Sequence, residues 1–390
     1  MTSTVSEHPP QGVAERIIKV EAPTLQRRLR VAHVSMTLQT GGLERLLVDM
    51  ARYHDANRFE PEFYALDTMG PPADDIRQYG CPAHSARLNL IGKRGVMRLL
   101  ERLFKRHQID IVHTHNTYAH YFGTFAARRA GVPIVVNSQH GRGCGIGWKL
   151  AVRFVVANRF ADRVVGVSDD SALACRQIDP LSTGKITRQW NGIDVERFEL
   201  RGPKQEPTAI TVSRLSPEKD LATLLQAVAT VVRDVPDFQL RIVGDGPERA
   251  GLESLTDQLQ LRQHVTFLGE RSDVPDQLAN AGFYVASSLT EGISLTLLEA
   301  HAVGLPIVAT SVGGNPEIVV ENETGRLVPP REPETLARAI IQMCRQPERW
   351  SEMGRRGRQR VEDNFDVRKT VAGYESIYED LWARRRSPKN

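Results

Sequence analysis

From Arg30 onward, short apolar runs rich in β-branched residues alternate with segments whose apolar positions recur every three or four residues. The first pattern predicts buried strands, and the second predicts amphipathic helices. Because strands that alternate with helices indicate parallel sheets, the first half of the chain is expected to form a doubly wound α/β domain. Its strands are predicted at 30–36, 61–67, 109–115, 133–139 and 161–168, and two of its helices at 41–54 and 95–108.

A charged segment with proline and glycine at 199–208 interrupts this pattern and is typical of a linker. The alternation then starts again, which predicts a second doubly wound, Rossmann-like domain and a cleft between the two. The helical segment near the C-terminus has apolar and aromatic positions that need a surface to cover. We therefore expect a polar tail at 1–28, an N-terminal domain at 29–199, a C-terminal domain at 200–369 and a terminal helical segment at 370–390.

The composition excludes several classes of protein. Hydrophobic residues make up 41% and charged residues 25%, as in soluble globular proteins. A formal net charge of +4 is too small to indicate nucleic acid but suits an anionic substrate. Four widely spaced cysteines predict reduced thiols and a cytoplasmic location. No apolar run reaches the ~18 residues of a membrane span, and the N-terminus lacks the pattern of a secretory signal.

Two glutamates stand out in SSLTEGISLTLLEAHAVG (287–304), because burying an unpaired carboxylate is costly. Glu291 follows a predicted strand, where open parallel sheets bind ligands, and Glu299 lies on the next helix, predicted at 295–303. Ser294 is placed to cap that helix, whose first N–H groups would form an anion site. Beside a phosphate the carboxylates are expected to bind sugar hydroxyls, one on a ribose and one on a hexose. The alternative is a surface helix with an ordinary N-terminal glutamate.

Cations and glycines follow the first strand of each half. Arg214 and Lys219, in VSRLSPEKD (212–220), lie in a loop that opens a helix, where both can reach one diphosphate. Gly41 and Gly42 separate the first strand from the first helix and allow close approach of the backbone to an anion. The alternatives are two solvated loop cations and a tight strand–helix turn.

Two further motifs bear on cofactors and metals. VGDGPER (243–249) begins like a dinucleotide fingerprint, but Arg249 occupies the third glycine position, so no dinucleotide cofactor is expected. His113 and His115 stand two residues apart at a strand end and share a face. Since no third ligand has convincing spacing, we expect no metal. A histidine that hydrogen-bonds a substrate hydroxyl and a packed histidine are the remaining interpretations.

Together these motifs resemble the GT-B glycosyltransferases of family four, the retaining group once called group one. The resemblance extends from about Arg30 to Asp380 and is most specific in the second half. It is carried by EGISLTLLEAHAVGLPIVATSVGGNPEIV with NETGRLVPP, by SRLSPEKD, and by the weaker HNTYAH, QHG and NGID. One departure is Ser294, where the family often has proline or phenylalanine. The sub-pattern EGIS occurs in members that build cell-surface polysaccharide.

The resemblance implies a role for each matched position. Glu299 is expected to bind the ribose of the donor nucleotide, and Glu291 the hydroxyls of the transferred sugar. Arg214 and Lys219 are expected to hold the diphosphate, and His115 to contact the sugar close to the reacting carbon. His115, Glu291, Arg214 and Lys219 thus form the expected catalytic set. The other implied positions are Gly42, Gly244, Leu268, Gly292, Leu295 and Thr296 for the donor, and Gly41 and His140 for the acceptor.

Among these positions, Leu268 is expected beside the base, and Leu295 and Thr296 are expected to offer backbone N–H groups to phosphate. The function implied is a retaining hexosyltransferase that uses a nucleoside-diphosphate sugar. UDP is the expected nucleotide because UDP-sugars are the commonest donors in the family. Two cations and a helix N-terminus can stabilise the leaving group, so neither a divalent metal nor a cofactor is expected. The resemblance also implies that the C-terminal helix crosses back to the N-terminal domain.

The expected acceptor is a saccharide or a lipid-linked sugar in cell-surface polysaccharide or glycolipid synthesis. A basic amphipathic segment at 92–107, repeated in character at 147–163, suits weak contact with an anionic membrane, which would place the protein on the inner face of the plasma membrane. The alternative for this segment is a helix that packs on its sheet with a solvated basic back. The alternatives for the function are a non-catalytic nucleotide-sugar-binding component of a polysaccharide assembly complex and a nucleotide-sugar epimerase.

Overall fold

The structure, a computed structural model, describes residues 27–386, so the predicted tail at 1–28 lies almost entirely outside the described residues. Seven strands form the sheet of the N-terminal domain: β1 (Leu29–Ser35), β2 (Phe59–Ala65), β3 (Ala83–Ser85), β4 (Ile111–His115), β5 (Ile134–Gln139), β6 (Arg163–Gly166) and β7 (Ile186–Arg188). Their order across the sheet is β3-β2-β1-β4-β5-β6-β7, and every pair is parallel.

The C-terminal domain contains a second parallel sheet. Its strands are β8 (Thr208–Val212), β9 (Gln239–Val243), β10 (Val265–Gly269), β11 (Phe283–Ala286), β12 (Ile307–Thr310) and β13 (Gly325–Val328). Their order is β10-β9-β8-β11-β12-β13. Two doubly wound parallel sheets confirm the predicted fold class.

Helices cover both faces of each sheet. In the N-terminal domain they are α1 (Gly42–Tyr53), α2 (Pro71–Gln78), α3 (Leu88–Arg106), α4 (Asn116–Ala130), α5 (Trp148–Asn158) and α6 (Asp169–Ile178). In the C-terminal half they are α7 (Leu221–Asp234), α8 (Arg249–Gln258), α9 (Val274–Ala279), α10 (Leu295–Val303), α11 (Asn315–Ile318), α12 (Pro333–Cys344), α13 (Trp350–Asn364) and α14 (Val367–Arg386). Among the described residues, no helix is both long and apolar enough to cross a bilayer.

Strand β1 shows why its sequence is a nearly continuous apolar run. Val31 packs into one core with α1 and α14, whereas Ala32 and Val34 point to the opposite core beneath α3 and α4. Because side chains alternate between the faces of a strand, a strand covered on both faces has no polar side. This explains why the strands were visible in the sequence as apolar runs rather than as an alternating pattern.

Helix α3 packs against the sheet. Its apolar residues Val96, Leu100 and Phe104 are fully buried, so the packing alternative is correct for the stripe at 92–107. The first turn is set off by a kink at Gly92, which has φ 66°. Residues before the kink, Leu90 among them, are therefore aimed differently from the buried stripe, and Leu90 is 75% exposed.

The last helix, α14, begins three residues before the predicted segment and packs on the N-terminal domain. Its tyrosines Tyr374 and Tyr378 are buried there. The chain crosses between the domains twice, and the two crossings meet where Ile193 pairs with Asp366. A second link is the Glu317 carboxylate, which accepts a hydrogen bond from the backbone N–H of Asp169 at 2.9 Å.

Candidate active site

The predicted catalytic residues lie at the two points where strand order reverses. In the N-terminal sheet this point is between β1 and β4, so the loop of Gly42 and the end of β4 at His115 are adjacent. In the C-terminal sheet it is between β8 and β11, which brings the loop of Arg214 beside the loop of Glu291. Open α/β sheets bind ligands beyond the carboxyl ends of their strands at such switch points.

Lys219 and Glu291, for which separate roles were predicted, form an ion pair. Lys219 Nζ donates to Glu291 Oε1 at 2.6 Å, and the Ser288 hydroxyl donates to the same oxygen at 2.7 Å. The Ser287 hydroxyl donates to the carbonyl of Lys219 at 2.9 Å and joins the two loops again. The cation and the carboxylate are thus held in one place before any ligand arrives.

The side chain of Arg214 is exposed and makes no hydrogen bond or ion pair among residues 27–386, although its charge contributes to the lowered pKa of Glu218. Its loop is supported from below by the turn after β9, where Gly244 has φ 126° and a β-carbon would collide with the carbonyl oxygen of Ser213. The same turn is joined to the end of β10, next to Leu268, by a hydrogen bond from Gly244 N to the carbonyl of Gly269 at 2.8 Å. Because the Arg214 side chain is exposed and forms no hydrogen bond or ion pair among the described residues, its guanidinium is able to bind an anion.

The N-terminus of α10 faces the same loops. Ser294 is its N-cap residue, as predicted, but its hydroxyl does not cap the helix and lies 3.3 Å from the Thr296 hydroxyl instead. The first-turn N–H groups, those of Leu295 and Thr296, are thus left without a side-chain acceptor. Gly42 of the other domain sits over this end, since a β-carbon on it would lie 3.5 Å from Leu295 Cδ1. Unpaired first-turn N–H groups of this kind can bind an anion, and residues of both domains border this helix end.

Glu299 lies one helical turn further along α10 and is partly buried. Desolvation raises its pKa to about 7, an effect that Arg45 reduces and Asp49 increases. Desolvation likewise raises the pKa of Asp49 to about 6. Arg45 and Asp49 belong to α1 of the N-terminal domain. The Glu299 carboxylate is therefore influenced by one cation and one carboxylate from the other side of the cleft.

His115 is buried and belongs to a chain of histidines. Its Nε2 lies 3.2 Å from His33 Nδ1, and its Nδ1 lies 3.1 Å from His140 Nε2. Asn191 Nδ2 donates to the other nitrogen of His140 at 3.2 Å. Burial, with a smaller effect of the neighbouring histidines, holds the pKa of His115 well below its usual range, so the ring is neutral. Its contact with the sugar stays a prediction, because both ring nitrogens are engaged here.

His140 is the histidine of this chain closest to the C-terminal domain. Its carbonyl oxygen would collide with a β-carbon on Gly292, and Gly141 is also within 4 Å of that position. The backbones of the two domains therefore touch at the residue that follows Glu291. Burial lowers the pKa of His140 to about 3, so this ring too is neutral.

Sequence reasoning missed several residues of the cleft. It found no third ligand for His113 and His115, yet the ring of His33 lies beside both, because β1 and β4 are neighbours. It also missed Asp49, although a carboxylate in the apolar run LLVDMA was a visible signal. Asp49 is 4% exposed, and its Oδ1 has no hydrogen-bond partner within the described part of the chain.

Comparisons with known proteins bear on this geometry. The family model described as Glycosyltransferase Family 4 matches residues 40–197, and that described as Glycosyl transferases group 1 matches residues 192–360. N-acetyl-α-D-glucosaminyl L-malate synthase of Bacillus anthracis is 30% identical over 294 residues, which cover 71% of this chain and 76% of that protein. The chain belongs to glycosyltransferase family 4.

Other members of this family resemble the chain over most of its length. UDP-Gal:α-D-GlcNAc-diphosphoundecaprenol α-1,3-galactosyltransferase of Escherichia coli is 25% identical over 382 residues, 91% of this chain and 97% of that protein. The crystal structure of Anabaena HepE in complex with UDP matches the fold with a TM-score of 0.79 at 21% identity, and covers 90% of this chain and 100% of that chain. The family-4 chain is thus a GT-B, retaining, nucleotide-sugar-dependent glycosyltransferase of the hexosyltransferase class. None of these matches favours the epimerase or the non-catalytic binding component.

Proposed function

We propose that this glycosyltransferase takes a UDP-sugar as donor and a saccharide or lipid-linked sugar as acceptor, in the synthesis of a cell-surface polysaccharide or glycolipid. UDP is supported by the bound nucleotide of HepE and by the UDP-Gal in the name of the Escherichia coli relative. The acceptor class is supported by the diphosphoundecaprenol in the same name.

The observation that carries the proposal is the convergence of charge and helix end at one place. A small cavity is lined by Lys219, Glu291, Ser294 and Thr296, and beside it Gly42 of the other domain lies over Leu295 at the start of α10. A diphosphate bound there meets one cation at once and the free guanidinium of Arg214 at the rim. Its charge is further stabilised by the N-terminal end of α10.

The ion pair gives this site two states. In the free protein, Glu291 balances the charge of Lys219. When a diphosphate binds, Lys219 gains a new anionic partner, and the Glu291 carboxylate can accept hydrogen bonds from sugar hydroxyls. As the bond to the anomeric carbon breaks, negative charge grows on the leaving phosphate beside Arg214 and Lys219. Preorganised groups of this kind each contribute typically about 3–4 kcal/mol to transition-state stabilisation.

The acceptor is proposed to enter from the N-terminal domain, beside Gly41 and His140. Ile146 and Trp148, in the segment that follows His140, are exposed apolar residues, and the segments around them are basic. We place the protein in the cytoplasm, in weak contact with the anionic inner face of the plasma membrane, where a lipid-linked acceptor would be found.

Nucleotide titration tests the donor site. Among UDP, GDP, ADP and their sugars, UDP and a UDP-sugar are expected to raise the melting temperature most, since a ligand at 100 times its Kd adds about 2.7 kcal/mol. Glu299→Ala and Arg214→Ala are each expected to weaken UDP binding about tenfold or more in calorimetric titration, because each removes a hydrogen bond to or from a charged group.

The matched controls are Arg233→Ala and Glu334→Ala, which lie exposed on α7 and α12 of the same domain. Both should bind UDP like the wild type. Unchanged affinity in Glu299→Ala and Arg214→Ala would remove the site assignment, and preference for another nucleotide would overturn the choice of UDP alone.

A further inference from the structure

A second cluster of potential ligands lies on the outer part of the N-terminal domain. Glu62 is on β2, His84 is on the edge strand β3, and His107 directly follows α3. One ligand atom from each lies within 4.8 Å of the other two. Helix α3 begins near the carboxyl ends of the strands and runs back along the sheet. Its last residue therefore lies near the amino-terminal ends of the strands, away from the cleft. The cluster is therefore separate from the donor site.

The spacing of the three side chains approaches that of a tetrahedral metal site. Zinc bonds of about 2.0–2.1 Å place neighbouring ligand atoms about 3.3 Å apart. His84 Nε2 lies 3.4 Å from Glu62 Oε2, close to this value. His107 Nδ1 lies 2.6 Å from the same oxygen and would have to move outward by a fraction of an ångström. The third separation, between the His84 and His107 nitrogens, is within 4.8 Å, so the two rings would also have to adjust toward an ion.

Hydrogen bonds inside the cluster leave one ligand atom unsatisfied. His84 Nε2 is buried and has no hydrogen-bond partner among the described residues. The Tyr64 hydroxyl lies 2.7 Å from Glu62 Oε2 and 3.0 Å from His107 Nδ1, but its single proton can serve only one of them. A bound ion would accept lone pairs from Glu62 Oε2, His84 Nε2 and His107 Nδ1. The Tyr64 hydroxyl would then donate its proton to the ligating oxygen of Glu62 as a supporting hydrogen bond.

The histidines of the cleft are a poorer site for a metal. Both ring nitrogens of His115 lie against other histidines, and those of His113 lie 2.6 Å from the Tyr378 hydroxyl and 2.8 Å from the Ser138 hydroxyl. Binding an ion there would break a satisfied and fully buried network. The outer cluster has an entry path, because the side chains of His84 and His107 are 31% and 22% exposed.

We propose that Glu62, His84 and His107 bind one divalent transition-metal ion, with Zn²⁺ as the best fit to two imidazoles, one carboxylate and an open fourth position. With water as its fourth ligand, the ion would join the three-residue edge strand β3 to β2 and to the end of α3. It has no part in sugar transfer, for which the cleft supplies its own cations.

The test uses full-length protein without an affinity tag, stripped with a chelator and then given Zn²⁺ or Co²⁺. We expect one tightly held equivalent after gel filtration, a higher melting temperature with Zn²⁺, and the intense visible absorption of four-coordinate Co²⁺. His84→Gln and His107→Gln should each lower the affinity for Zn²⁺ at least about tenfold, as expected when one ligand of three is lost. His54→Gln, a partly buried histidine of the same domain, is the matched control and should bind like the wild type.

Histidine ring resonances in the wild type test the assignment without any variant. Zn²⁺ should shift those of His84 and His107 and leave those of His33, His113 and His115 unchanged. The proposal is overturned if the stripped wild type retains no Zn²⁺ equivalent, if both variants keep the wild-type affinity, or if the shifted resonances are those of the cleft.

Discussion

At the scale of single residues, the cleft contains two desolvated carboxyl groups, and keeping each of them ionised costs free energy. Desolvation raises the pKa of both Glu299 of α10 and Asp49 of α1, Asp49 raises that of Glu299 further, and Arg45 lowers both only in part. In the proposed donor site, the hydroxyl groups of a ribose would donate hydrogen bonds to these carboxylates.

This gives a prediction about pH. The folded-state pKa of Glu299 lies near 7, above its ordinary value of 4.5, so the folded state holds this proton more tightly than the unfolded state. Stability from this group is present below about pH 4.5 and is lost as pH rises through 7. Glu299→Gln should therefore raise the melting temperature of the free protein at pH 8 by about 2–6 °C, for a gain of about 1–2 kcal/mol, and change it little at pH 5.

Calorimetry of the wild type and Glu299→Gln between pH 5 and 8 checks this expectation, with Glu334→Gln as the exposed control. A wild-type profile that runs parallel to that of Glu299→Gln across this range would contradict it. The same variant should bind UDP more weakly, so stability and binding would change in opposite directions.

Sequence reasoning identified the charged residues of the donor side but not their pairing. Lys219 and Glu291 stand 72 positions apart, and only the adjacency of β8 and β11 brings them within 2.6 Å. His33 was missed for the same reason, since it meets His115 through the pairing of β1 with β4. Motifs reveal residue types near one loop, whereas contacts between loops depend on strand order.

At the scale of elements, α14 connects the end of the chain to the core of the first domain. The Tyr378 hydroxyl lies 2.6 Å from His113 Nδ1, and the Ser138 hydroxyl, 2.8 Å from the other nitrogen of His113, donates to the Tyr374 hydroxyl at 2.9 Å. Both tyrosines are buried, so these polar contacts have no water to replace them.

Tyr378→Phe is accordingly expected to lower the free energy of unfolding by about 1–3 kcal/mol, because it leaves a buried histidine nitrogen without a partner. Urea unfolding measures this. Tyr79→Phe is the matched control, since Tyr79 is exposed, and its effect should stay within about 0.5 kcal/mol. Equal stabilities of the two variants would show that the hydroxyl of Tyr378 contributes nothing to the fold.

The sequence predicted the central strands and the edge strand β10, and missed three short edge strands. β3, β7 and β13 are three or four residues long, and β3 (AHS) has no apolar run at all. An edge strand is covered less completely than a central one, so its sequence carries a weaker hydrophobic signal. Ser294 was likewise placed correctly as an N-cap residue, but the direction of its hydroxyl depends on Thr296 and not on local propensity.

At the scale of the whole molecule, α3 and α5 both begin beside the cleft, because each follows a strand of one parallel sheet. Their first turns carry the exposed residues Leu90 and Trp148, the latter 72% exposed. Residues 86–100 and 143–161 contain no aspartate or glutamate. An apolar and basic rim at the mouth of the cleft is the arrangement expected of a surface that rests on anionic lipid.

Vesicle flotation tests this rim. The protein should float with phosphatidylglycerol-containing vesicles at low salt and less with pure phosphatidylcholine, and the double variant Ile146→Ser with Trp148→Ser should lose most of this binding. Leu181→Ser is the matched control. Leu181 is 85% exposed but lies just before β7, near the amino-terminal ends of the strands and away from the cleft. Absence of flotation in the wild type, or equal flotation of all variants, would refute the lipid contact and leave the donor site untouched.

The glycine of the motif EG, Gly292, lies directly against the backbone of His140 in the other domain. Even alanine at position 292 would act as a spacer between the two sheets, since its methyl group would occupy the room that the opposing carbonyl oxygen needs. The glycine after Glu291 thus sets how narrow the crevice can become. The need for glycine at this position follows from the close approach of one domain's backbone to the other's.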